Sequence, residues 1–259
     1  MGMPAPAQKS IQLHNDLIAT APSDVERIRA LSWQLRQMRR QNRSDFRVNT
    51  TLMLAFLMAG DRKDYDDLFN EVKGSHIGQP FECQMSYLET VLSSGNFVEG
   101  RNIIDQMIGI TGALRRFQFL DACVQCAVAL ADLKWLKDVA DKERAAELSG
   151  SAEEFLRVLD VSPIARHFPK HQEIVLSKIE SSSCICRFTL VGEEEMQDSM
   201  SCWVHASLDR DQCKQLEDEI HSALMDFYRM QDEAPGVYIP EYGIIVSPIS
   251  GLDQPLVAA

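Results

Sequence analysis

The sequence predicts a mainly α-helical protein: stacked antiparallel helical hairpins followed by a small α+β domain. Turns near Gly60, Gly95 and Leu133 recur at intervals of 35 and 38 residues, each between two apolar-periodic segments. Periods in the thirties with two helices apiece indicate stacked hairpins. After Ser183 the apolar spacing changes from three and four to two, the period of a strand. Finally, 259 residues with 45% apolar content suffice for a sizeable core, and no apolar run approaches a membrane span.

Taken in order, residues 1–22 are expected to be a flexible segment. They show no secretory leader, and Pro6 spoils the myristoylation pattern that Gly2 would begin. A helical domain is expected over 23–150. Ser23 and Glu26 form a capping box, and Val25, Ile28, Leu31, Leu35 and Met38 continue as one apolar stripe. Asn42 to Asp45 breaks and recaps the chain before a strongly apolar helix, Phe46 to Ala59. Gly60-Asp61 ends that helix, and Tyr65, Leu68, Phe69 and Val72 form the stripe of the next. Phe81–Ser93 with Phe97–Ile110, and Leu114–Ala131 with Trp135–Leu148, repeat the design.

A helical connector is expected over 151–180, opened by the Ser151–Glu154 capping box and crossed by Pro163 and Pro169. A small α+β domain is expected over 181–249, and a flexible tail over 250–259. In the α+β domain, residues 184–191 and 199–206 alternate as a hairpin around an acidic loop. Asp209 caps a long helix with Cys213, Leu216, Ile220, Leu224 and Phe227 facing inward, and further strands follow.

The hairpins over roughly residues 46–148 resemble tetratricopeptide repeats. Gly95-Asn96-Phe97 matches that family's turn, and Gly100 fills its small-residue slot. Leu88 and Tyr65 depart from the pattern where small residues belong, and no Gly precedes Trp135. The resemblance implies a surface that binds protein partners.

Composition narrows the chemistry. The net charge is −12, yet residues 1–48 carry a local +4. An acidic body argues against general nucleic-acid binding, because phosphate contacts need basic groups. Seven cysteines without an export signal point to a reducing, cytoplasmic setting and free thiols. Cys123 and Cys126 sit mid-helix among apolar residues and read as core thiols. Cys184, Cys186 and Cys202 alternate away from His205, so the four do not form a zinc set. Pro169 interrupts His167 and His171, which read as part of a solvent-facing connector. Asp64 to Asp67 read as a solvated first turn at a positive helix end. No metal, cofactor or catalytic set is expected.

Arg29, Arg36, Arg40 and Arg43 are spaced seven, four and three apart, on one helical face, with Arg39 and Arg47 beside them and Trp33 among them. This face can grip an acidic protein partner or phosphates, or dock on the protein's own acidic body. Trp203, expected on an outer sheet face, is a further contact candidate. The expected function is therefore a non-enzymatic protein–protein interaction module: an adaptor, a chaperone or a regulator. The alternatives are a nucleic-acid-binding regulator using the arginine helix and a metal-dependent enzyme with a carboxy-terminal Cys/His site.

Overall fold

Short polar side chains set where four of the helices begin. Asp24, Asp45, Asn96 and Asp209 each stand just before a helix and accept a backbone N–H from its first turn. The computed structural model describes residues 6–21, 23–108, 117–143, 167–182, 186–192, 200–230 and 242–248. The architecture is mainly helical, with a small sheet near the carboxy-terminal end. Among the described residues no helix is long and apolar enough to cross a membrane. Backbone contacts divide the chain into two units inside one helix, between Thr90 and Val91. This division falls before residue 150, where the Ser151 capping box opens the expected connector.

The first unit is built around α3 (Phe46–Ala59), in which twelve of fourteen residues are buried. A helix that is apolar all round needs neighbours on several sides. Helices α1 (Pro6–Ile18), α2 (Val25–Gln41) and α4 (Arg62–Val72) all pack against it. Gly60, at φ 74°, ends α3 in the left-handed conformation that glycine adopts without strain. The stripe expected on α4, namely Tyr65, Leu68, Phe69 and Val72, is buried. Tyr65 stacks on Phe69, which stacks on Tyr87 of α5 (Phe81–Ser93), and His76 covers the same Tyr87 ring.

Two expectations in this unit are corrected. The segment expected to be flexible carries α1, with Ser10, Leu13 and Leu17 buried. Its inner face holds only two large apolar residues, too few for periodicity to reveal. The first cap is Asp24, which accepts from Arg27 N at 3.1 Å, rather than Ser23. A carboxylate at this position also meets the positive end of the helix dipole.

The second unit begins with the end of α5 and continues through α6 (Phe97–Met107), α7 (Phe117–Ala129) and α8 (Leu133–Glu143). Arg101 of α6 reaches Asp132 at the start of α8, and Trp135 donates its indole N–H to Asp105 at 2.9 Å. Next comes α9 (Phe168–Ser181), which contacts α7. Pro169, read from the sequence as interrupting His167 and His171, stands in the first turn of this helix, where its missing N–H costs nothing. His171 follows on that helix with 2% exposure, which corrects the expectation of a solvent-facing connector.

Strands β1 (Cys186–Gly192) and β2 (Met200–Ala206) pair antiparallel, as the alternation predicts. Helix α10 (Arg210–Met230) then carries the chain to β3 (Tyr242–Pro248), which lies parallel to β2, giving the order β1-β2-β3. The inner stripe of α10 is Cys213, Leu216, Ile220, Leu224 and Tyr228. Tyr228 takes the place expected for Phe227, which is half-buried. Val204, Ala206, Ile244 and Val246 supply the buried side of the sheet, and α10 packs on β3. The Ser151 capping box, the end of the third helical pair and the acidic loop between β1 and β2 lie outside the described residues, as does the tail.

Gly100 is where two helices approach closely. A Cβ there would collide with Leu92 Cδ2 and meet Cys126 Sγ at 3.3 Å, both on buried side chains. Gly100→Ala is expected to lower the unfolding free energy by about 1–2 kcal/mol, the overpacking strain exceeding alanine's better helix propensity. Denaturant titration checks this, and a stabilised variant would contradict the close packing.

Candidate functional site

Helix α2 presents its apolar stripe (Ile28, Leu31, Leu35) to α1 and α3 and its arginines beside that stripe. A cleft of about 330 Å³ forms where α2, α3 and α4 meet. Arg36, Arg39, Arg40 and Arg43 line one wall, and Asp64, Asp67 and Glu71 the other. Leu52, Phe56 and Leu68 form its apolar floor. Four of the predicted site residues are thus brought together at one concave place.

Those four arginines divide into two pairs by what they touch. Arg36 reaches across to Asp64 at 2.5 Å, and its guanidinium lies 4.7 Å from the centre of the Phe56 ring. Arg39 is held harder. Its Nε donates to Asn49 Oδ1 at 2.9 Å, its Nη2 meets Glu71 at 2.5 Å, and its side chain is only 21% exposed. Asn49 in turn donates to the Arg43 carbonyl at 2.9 Å, tying the turn after α2 to α3, so Arg43 lies just beyond the helix expected to carry it. Arg40 and Arg43 are exposed, and neither takes a carboxylate partner among the described residues. The face is therefore half docked on the protein's own acidic helix and half open to solvent.

The remaining candidates lie elsewhere. Arg29 is exposed on α2, two turns before Arg36, and does not line the cleft. Arg47, expected in the patch, extends from α3 towards Cys83 Sγ at 3.6 Å. Its charge adds to burial in lowering the pKa of His14. Trp203 pairs with Thr189 and Ile245 in the sheet register, and its side chain lies outside the described residues.

The acidic wall was missed at the sequence level. Asp64, Asp67 and Glu71 recur at three and four residues, so they share one face of α4. That spacing was the available signal, and only the packing of α4 on α3 shows what it faces. Asp67 is also paired within its helix, with Lys63 at 2.9 Å.

The other chemistry-bearing groups form no competing centre. Cys123 and Cys126 are fully buried, and burial pushes both thiols well above their ordinary range, so neither is a nucleophile. Cys186 stands opposite Ala206 and Cys202 opposite Leu190, four residues apart along the ladder. At about 3.4 Å per residue that is about 13 Å, too far for one zinc ion to bind both. His205 instead shares a 2.9 Å hydrogen bond with Ser247, and Cys184 lies outside the described residues. No group of three or more metal-ligating side chains is gathered among the described residues. His171 packs against Tyr228 in the second unit. Burial first, then the charges of His167 and His221, lower its pKa to about 4.

No family model matches the chain, and no curated protein or solved structure matches it.

Two measurements test this geometry. Arg39→Ala should cost about 1–2 kcal/mol of stability, since it removes a half-buried charged hydrogen bond to Asn49 and the ion pair with Glu71. Arg40→Ala should change stability by less than about 0.5 kcal/mol, as expected for an exposed side chain. Equal costs in denaturant unfolding would contradict the division. For His171, the folded pKa of about 4 lies below the ordinary histidine value of 6.5, so acid favours the unfolded chain. Stability associated with a neutral His171 is present above pH 6.5 and is lost as pH falls towards 4. The wild type's stability advantage over His171→Gln should therefore shrink by up to about 3 kcal/mol across that window. An advantage independent of pH would contradict a buried neutral imidazole.

Proposed function

We propose that the chain is a non-enzymatic protein–protein interaction module, an adaptor, chaperone or regulator acting in the cytoplasm, with the helical part as scaffold and the arginine face of α2 as contact surface. One observation carries this reading: Arg40 and Arg43 stay exposed, with no carboxylate partner among the described residues, at a concave site whose other two arginines are already braced. Arginine on a preorganised surface is a preferred anchor for acidic partners, because its planar fork engages carboxylates in two parallel bonds. Reading the helices as successive hairpins in the manner of tetratricopeptide repeats agrees with a scaffold role.

A protein partner is favoured over a nucleic acid by the opposite wall of the cleft. Asp64, Asp67 and Glu71 would repel a continuous line of phosphates, whereas a polypeptide can direct backbone N–H groups at them. The separation of Cys186 from Cys202 removes support from a metal-dependent enzyme.

Affinity capture from native lysate, with and without nuclease, compares the wild type with the double variant Arg40→Glu/Arg43→Glu. The variant should fold normally, because both side chains are exposed and neither meets a carboxylate among the described residues. A protein recovered by the wild type in both conditions and lost by the variant is the expected result. Unchanged capture by the variant would overturn the use of this face, and material lost on nuclease treatment would replace protein with nucleic acid.

A further inference from the structure

Beyond the cleft, α2 carries a second exposed feature on the same side. Trp33 is 63% exposed, an unusual position for the largest apolar side chain. Arg29, Trp33, Arg36 and Arg40 follow one another at four, three and four residues, the spacing that keeps side chains on one helical face. Exposed Trp and Arg on one rigid helix are the residue types that dominate binding energy at protein interfaces. The ridge thus runs along α2 from the Trp33 indole to Arg40, and on to Arg43 in the turn that follows the helix, both exposed.

We propose that this ridge recognises an extended acidic protein segment, with one bulky apolar residue on Trp33 and a pair of carboxylates on Arg40 and Arg43. The proposal rests on the interaction reading above and names its ligand. Charge complementarity selects the acidic residues. The exposed indole selects the apolar one, by covering surface that otherwise stays in water. The carboxylate wall of Asp64, Asp67 and Glu71 selects a polypeptide over a polyanion, as argued for the cleft.

Helix geometry also sets the spacing of the motif. Trp33 and Arg40 are seven residues apart, about 10 Å along α2 at 1.5 Å per residue. An extended segment advances about 3.4 Å per residue. The apolar residue should therefore sit about three positions from the first carboxylate, and a second carboxylate should follow within one or two residues to reach Arg43.

Selection from a random peptide display library against the immobilised full chain tests this directly. The expected result is enrichment of acidic peptides with an apolar or aromatic residue at that spacing. Trp33→Ala and Arg40→Glu/Arg43→Glu should each weaken the best peptide about tenfold or more. Moving the apolar residue to sit beside the acids should weaken it similarly. Enriched peptides that bind both variants unchanged would overturn the ridge while leaving a protein-interaction role intact. No acidic enrichment, alongside lysate capture that still depends on Arg40 and Arg43, would overturn the segment class alone. Single-stranded DNA of matching charge competing at equal concentration would overturn it in favour of a polyanion. Self-association lost in the same variants would assign the ridge to a second copy of the chain.

Discussion

The near-complete burial of α3 governs the first unit. A helix with apolar residues on all sides has no solvent face, so α1, α2 and α4 must lie around it. Once α2 and α4 are both laid on α3, the side chains flanking their apolar stripes meet across the groove between them. On α2 those side chains are arginines, and on α4 they are carboxylates. The cleft and its charge pairing follow from core packing, without any separate device to build a site.

Its electrostatics then follow from reach. Arg36 and Arg39 lie close enough to Asp64 and Glu71 to pair with them, and Asn49 supplies a further acceptor for Arg39. The Arg36 pair is exposed on both sides and contributes little to stability. Arg39, more enclosed and doubly bonded, acts as a brace between α2, α3 and α4. Arg40 and Arg43 keep a strong positive charge at the rim. An acidic protein thus retains a basic, rigidly supported edge, where association with an acidic partner would be steered by charge.

Much of the helical fold was legible in the sequence. The bounds of α3 and α5, the stripe of α4, the Asp45 and Asp209 caps and the β1–β2 hairpin all come from local signals: periodicity, capping side chains and alternation. The errors have local causes too. Helix α1 carries only Leu13 and Leu17 as large buried residues, so its pattern is faint. His167 and His171 flank Pro169 in what reads as a polar connector, and only packing shows that Phe168 and His171 are buried. Phe227 and Tyr228 are adjacent, and which one faces inward depends on how α10 sits in its unit. At the site, the arginine face was visible as a spacing on α2. Its division into braced and open halves was not, because that depends on α4, whose register against α2 is set through α3 rather than by either sequence alone.

Side-chain ¹⁵N NMR of the arginine Nε–Hε groups would examine that division most directly. The account predicts a slowly exchanging, motionally restricted Arg39 signal and fast-exchanging, averaged signals for Arg40 and Arg43. An acidic peptide should shift only the latter two appreciably. Uniform mobility across the three, or an Arg39 signal that responds to peptide as strongly as Arg40, would contradict the separation of brace from binding edge.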